Sequence, residues 1–160
     1  MTLPMIVATF DEREAKHLMK MLGSLGEEGF TAVNRALAPV GRDLAEWVAI
    51  AAPVRPASGA LQDSITYMKR AKKAQGFIAL RVGAQRGRRF PHPDGGETKD
   101  GKPREIDPSY YLHLVEFGTR HSRARPFIRK VLERRGPKIA EHLFQTVTDR
   151  VEKAWARKFG

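Results

Sequence analysis

The stretch DPSYYLHLVEFGTRHSRARPFIRKVL, Asp107 to Leu132, decides how the rest of the chain is read. Asp107 can accept from the free amides of a first helical turn, and Pro108 suits the first helical position because its missing N–H would be unbonded there anyway. Gly118 supplies a left-handed stop, so the spacing predicts a short helix from Pro108 to Phe117. Tyr111, Leu114 and Val115 share one face, with Tyr110 and Phe117 flanking it. A helix this short is marginal alone and must pack against something larger. Glu116 is expected on the wetter side or paired with an arginine of the turn that follows. Pro126 is expected to start the next helix, with Phe127 and Ile128 as its first core contacts.

Working upstream, Gly76 to Gly83 alternates Phe77, Ala79 and Arg81 against Ile78, Leu80 and Val82. With Leu61 to Met68 it reads as a hairpin whose second set faces the core, the connection Lys69 to Gln75 being a basic turn. Ala52 to Ser64 carries two prolines and a glycine and ends a helix predicted from Glu28 to Ala51. That helix shows Phe30, Val33, Leu37, Leu44, Trp47 or Val48, and Ala51 as its repeating face. Pro39 and Gly41 interrupt it, and because the apolar period resumes in phase a kink is favoured over two shorter pieces. A first helix is expected from Asp11 to Leu22, with Ala15, Leu18, Met19 and Leu22 inward, followed by a break from Gly23 to Gly29. Residues 1–9 are expected to form a short strand or a flexible arm.

Downstream, apolar residues recur from Phe127 through Ile139, Leu143, Val147, Val151 and Trp155, and the last residues, 157–160, are expected to be flexible. Gly136 and Pro137 fall inside this pattern, and proline in a helix interior costs about 3 kcal/mol, so a break or kink is predicted near Arg135. Gln85 to Ile106 has little to bury and exceeds an ordinary connection. It is read either as a partner-contacting loop or as one disordered when alone. The expected class is α+β: two or more long helices packed on a small antiparallel sheet, with a short helix before the C-terminal one. At 160 residues, one domain spanning 1–160 is the default.

The net charge of +11 is unevenly placed: residues 1–68 carry −2, 69–106 carry +7, 107–117 carry −2 and 118–160 carry +8. Such basic surfaces attract nucleic acid or acidic protein faces by the same field. There is no cysteine, so no disulfide framework and no thiolate chemistry. The start lacks a secretory pattern and no run approaches the length of a membrane span, so a soluble product without membrane partners is expected. No convergent catalytic set can be assembled. His17, His113 and His142 read as structural residues of helices, no zinc spacing is present, and Gly23, Gly26 and Gly29 lack the strand and Lys-Ser/Thr of a phosphate loop. No enzyme, metal or cofactor is therefore expected.

Two ordered motifs carry a resemblance. The first is APVRPASGALQDSI, Ala52 to Ile65, where Ser58, Gly59, Leu61, Ser64 and Ile65 follow a Thr-Gly-x-Leu-x-x-Ser-Ile pattern with serine in place of threonine. The second is YYLHLVEFGTRHSRARPFIRKVLE, Tyr110 to Glu133, with a Val-Glu-Phe-Gly-Thr core and an Ala-Arg-Pro-Phe-Ile-Arg continuation. Together they make the chain similar to the tail-completion and neck components of long-tailed bacteriophages, often found in prophages. That resemblance implies a structural virion component at the head–tail junction or tail end, made in the host cytoplasm. It implies self-association, with a six-fold ring the natural form, and contact with neighbouring tail or head-connector proteins. Tyr110, Glu116, Phe117, Arg120, Arg123, Arg125, Phe127 and Arg129 are the binding residues expected on that footing. The alternative, a small basic protein binding DNA or RNA without strong sequence specificity, rests on charge alone.

Overall fold

In the computed structural model the residues described are 11–54, 59–72, 74 and 77–160. The elements are α1 (Glu12–Leu25), α2 (Glu27–Ala51), α3 (Ala60–Ser64), β1 (Ile65–Lys72), β2 (Phe77–Ala84), β3 (Phe90–Pro91), β4 (Glu105–Ile106), a 3-10 turn (Pro108–Tyr110), α4 (Leu112–Phe117) and α5 (Ile128–Phe159). The class is α+β, with α2 and α5 against a two-stranded antiparallel sheet and a short helix before the last one. The expected arm at residues 1–9 and the basic cluster's Lys73 lie outside the described residues.

The chain divides into two compact units. One comprises the described parts of Met1–Asp43, Met68–Arg81 and Arg134–Gly160; the other, Leu44–Tyr67 and Val82–Glu133. The first has a three-helix core in which Leu18, Met21 and Leu25 of α1 meet Ala32 of α2 and Val151 and Ala154 of α5. Asp11 starts α1 by accepting from Arg13 N at 2.7 Å. Met19, expected inward, is 71% exposed; the buried phase is 18, 21, 25. The predicted glycine-rich break shrinks to Gly26 alone, at φ 56, and Gly23 and Gly29 are helical. Gly29 has the tighter constraint: a Cβ there would lie 3.2 Å from Leu22 O and Leu25 Cβ, so its bareness lets the two helix ends approach.

In the second unit Val48 of α2, Ala52 just past its end, Leu61 of α3, and Phe127 and Val131 bury one another, with Ile65 of β1 and Val82 and Ala84 of β2 packed alongside. Ser64 closes α3 by donating its hydroxyl to Leu61 O at 2.8 Å, and its own carbonyl accepts from Gln85 N at 2.9 Å beyond the hairpin. Residues 61–64, expected as strand, are thus helical. Lys69 to Lys72, expected as a turn, extend β1.

Two further expectations are corrected. The segment 85–106 is a paired ribbon: Phe90 lies opposite Ile106, Pro91 opposite Glu105, and Glu97 bridges Pro103. Its order comes from backbone bonds, including His92 N to Arg104 O and Arg104 N to Gly96 O, both 2.9 Å, which need no apolar face. Of the break or kink expected near Arg135, the break is absent, since α5 is continuous through Gly136 and Pro137. Val131 before the proline and Ile139 and Ala140 after it are all buried. Burial of Ile139 and Ala140 directly after the proline offsets the lost hydrogen bond. The helix α2 likewise runs unbroken through Pro39.

Candidate functional site

The motif around Glu116 forms a built corner within the second unit. Asp107 Oδ1 accepts from Ser109 N at 2.9 Å and Oδ2 from Gly87 N at 2.7 Å, tying the 3-10 turn to the base of the ribbon. The Ser109 side chain foremost, then these two amides, hold the carboxyl below the ordinary aspartate value against the opposing effect of burial, with Arg86 adding to the lowering. The predicted single helix is in fact two pieces, the 3-10 turn and α4, joined at Tyr111.

Glu116 reverses its expected place. It is 4% exposed, and its carboxylate accepts from Phe127 N at 2.8 Å, Ile128 N at 3.1 Å and Arg129 N at 3.0 Å. The first amides of a helix have no partner within it and carry the positive end of its dipole, so a buried carboxylate satisfies both needs. The start of α5 is therefore capped from another element. Pro126, expected as its first residue, precedes it, and α5 begins at Ile128.

Between α4 and α5 the chain folds back on itself. Gly118 N donates to Leu114 O at 2.8 Å, and Arg125 N to Val115 O at 2.8 Å. Thr119 N donates to Ser122 O at 2.8 Å, while Thr119 Oγ1 accepts from His121 N and Ser122 N at 3.1 and 2.9 Å. Gly118 sits at φ 76, where a Cβ would fall 2.7 Å from Ala124 N and 2.9 Å from Ser122 O. Only glycine fits between those backbones.

This backbone determines what faces outward. Arg120, Arg123 and Arg125 are exposed, Tyr110 and Phe117 are 66% and 42% exposed, and the Arg129 guanidinium lies 5.5 Å from the centre of the Phe117 ring. Phe127 is 4% exposed and belongs to the core cluster, so it and Glu116 shape the corner from inside. A cavity of about 560 Å³ opens beside α4, lined by Tyr111, Leu114 and Val115 on its apolar side and by Thr119, Arg123 and Arg125 toward the loop. Tyr111 Oη is buried with no hydrogen-bond partner among the described residues. Burial, with the Asp107 carboxylate nearby, raises its ionisation above the ordinary tyrosine value. An apolar hollow rimmed by guanidinium groups suits an aliphatic or aromatic side chain followed by a carboxylate.

Sequence reasoning placed Tyr111 only on a packing face, Thr119 only in the Val-Glu-Phe-Gly-Thr core and Ser122 only as a cap or turn residue, with none of the three among the expected binding residues. The signal available was Thr119 directly after a glycine stop, a common hydroxyl-turn arrangement. His113, expected in packing, is exposed, while His142 Nδ1 lies 3.4 Å from Asp43 Oδ2 in the first unit. Among the described residues no three His, Asp or Glu side chains converge as metal ligands, and no helix is long and apolar enough to cross a membrane. No protein-family model, curated protein or solved structure matches the chain.

Proposed function

We propose that the protein is a structural component of a phage or prophage virion, acting at the head–tail junction or tail end, and that the corner around α4 docks a neighbouring virion protein. The observation that carries this reading is the locking of the Arg120–Arg123 turn by Glu116, Gly118 and Thr119, which presents exposed guanidinium groups beside an apolar hollow on an ordered backbone. A docking surface held ready in this way loses little conformational freedom on binding. The two sequence motifs resembling tail-completion components supply the biological setting.

The test is particle assembly in cells producing virions from a phage or prophage genome that carries this gene. Arg120→Glu with Arg123→Glu is expected to leave thermal unfolding unchanged and to leave heads and tails unjoined in electron micrographs. Normal joined particles made without the protein would refute the reading.

A second reading, nucleic-acid binding without sequence preference, is favoured by Arg70 and Lys72 exposed on β1 and Arg81 exposed on β2. It requires affinity for duplex DNA that falls steeply as salt rises.

A further inference from the structure

The docking corner shows charge of one sign outward. From Pro108 to Leu132 the chain has a single acidic residue, Glu116, and that carboxylate is buried on the amides that open α5. The same stretch exposes Arg120, Arg123, Arg125 and Lys130, and half-buries Arg129 against the Phe117 ring. No carboxylate lines the hollow beside α4. The groove that joins Arg35 to Arg150 and Arg157 differs, because Glu27 and Glu28 stand among its cations and Glu28 pairs with Lys158 at 3.8 Å. A surface whose own acid is turned inward finds its complement in the carboxylates of a partner.

The corner also exposes apolar surface at a fixed place. Tyr111 O accepts from Val115 N at 3.0 Å and Leu114 O from Gly118 N at 2.8 Å, so the chain keeps helical spacing from Tyr111 to Gly118. Leu114 and Phe117, three residues apart on that turn, are therefore surface neighbours, and they are 41% and 42% exposed. Leu114 lines the hollow as well, with Tyr111 and Val115, so the exposed ridge runs into the cavity. The polar lining comes from the turn, through Thr119, Ser122 and Arg123. At about 560 Å³ the hollow has room for a large side chain together with its backbone.

We infer that the corner takes an internal acidic segment of its partner protein. One aliphatic or aromatic side chain of that segment sits in the hollow against Leu114 and Val115, and aspartates or glutamates on either side of it pair with Arg120 and Arg123. This rests on the reading of the corner as a docking surface and adds the chemistry of what docks there. A phosphate backbone would match the guanidinium groups but leave Leu114, Val115 and Phe117 facing water. The carboxylate at the end of a chain is a single charge and would leave one of the two exposed arginines unmet. Carboxylates flanking an apolar anchor answer the ridge, the hollow and both arginines together. Because Gly118 and Thr119 already hold the turn, the ordering on binding falls on the segment alone.

The test is selection of peptides from a random displayed library on the immobilised full chain, followed by fluorescence anisotropy with a labelled synthetic copy of the best binder. The selected peptides are expected to carry Asp or Glu on both sides of an aliphatic or aromatic residue. Affinity is expected at about 100 μM or tighter, and Arg123→Glu and Leu114→Ser are each expected to weaken it at least about tenfold. The same peptide with its acids changed to lysine is expected to bind the Arg120→Glu, Arg123→Glu variant at least about tenfold more tightly than it binds the parent, a recovery that misfolding cannot mimic. A selection that returns no binder overturns the inference, as do binders lacking acids or an apolar anchor, or binders indifferent to Arg123→Glu or Leu114→Ser. Binding abolished by amidating the peptide's C-terminus would overturn it in favour of a chain end. An empty selection alongside duplex DNA binding that Arg123→Glu weakens would give the turn to nucleic acid. Peptide binding as expected, together with normal joined particles made without the protein, would sink the virion setting and keep the acidic-segment site. An empty selection with heads and tails left unjoined by the double reversal would do the opposite.

Discussion

Glu116 Oε2 accepts the backbone N–H of Phe127 at 2.8 Å, across eleven residues of chain, and the same carboxylate also receives the next two amides. One buried side chain thereby sets where α5 begins and how the arginine-rich turn is suspended between two helices. Replacing it with alanine leaves three helix-start donors without their acceptor. The expected loss is about 3 kcal/mol, with glutamine losing about half as much because it keeps one acceptor oxygen but not the charge. Urea unfolding reads this as a lower midpoint at unchanged slope. An alanine variant as stable as the parent would remove Glu116 from the folding of the corner.

Gly118 and Gly26 both hold positive φ, yet they predict different outcomes. At Gly26 a Cβ meets nothing within 4 Å, so alanine there bears only the backbone penalty of φ 56 with ψ -118, about 1–3 kcal/mol. At Gly118 the Cβ would strike Ala124 N and Ser122 O, both backbone atoms that cannot swing aside. Gly118→Ala is expected to lose about 3 kcal/mol or more and to disorder the turn. Equal melting shifts for the two variants would contradict this assignment.

The residues that were legible in advance are those whose role is set by their immediate neighbours. Asp107 and Pro108 announce a helix start, and Gly118 a stop, because capping and φ are local chemistry. The hairpin of β1 and β2 was legible from alternation, although its first residues proved helical. Glu116 was not legible, since a carboxylate on a short amphipathic helix ordinarily faces water and its partners lie eleven to thirteen residues on. The ribbon of β3 and β4 was hidden for another reason: its order resides in backbone bonds, and hydropathy carries no record of them. Of the expected binding residues, Arg120, Arg123, Arg125 and Tyr110 do face outward, Arg129 is half-buried beside Phe117, and Phe127 and Glu116 are interior.

Asp107 makes the corner sensitive to acid. Its carboxyl is held below 3.8, its ordinary value, by bonds from Ser109 and Gly87, so the folded state binds this proton less readily than the unfolded chain. The stabilisation is therefore present above the ordinary aspartate range and is lost as pH falls through the depressed folded value. In an NMR titration the Gly87 and Ser109 amides should shift together, with a midpoint below 3.8. A midpoint at or above that value would show that the two bonds do not favour the ionised form.

Pro137 offers the sharpest contest between local preference and packing. It lies inside a continuous α5, its side chain is exposed, and buried Ile139 and Ala140 follow it directly. Its ring removes one hydrogen-bond donor and crowds the preceding turn, a penalty of about 3 kcal/mol relative to alanine in a helix interior. The helix persists because breaking it would withdraw those buried side chains from the core. Pro137→Ala should restore the missing bond without removing any buried surface, raising stability by about 1–3 kcal/mol with an increased urea midpoint. The gain should persist when Glu116→Ala is also present, because the cap and the proline share no partner and their effects should add. A variant no more stable than the parent would mean that the chain already relieves the proline, as a local bend in α5 at Glu133 to Pro137 would do.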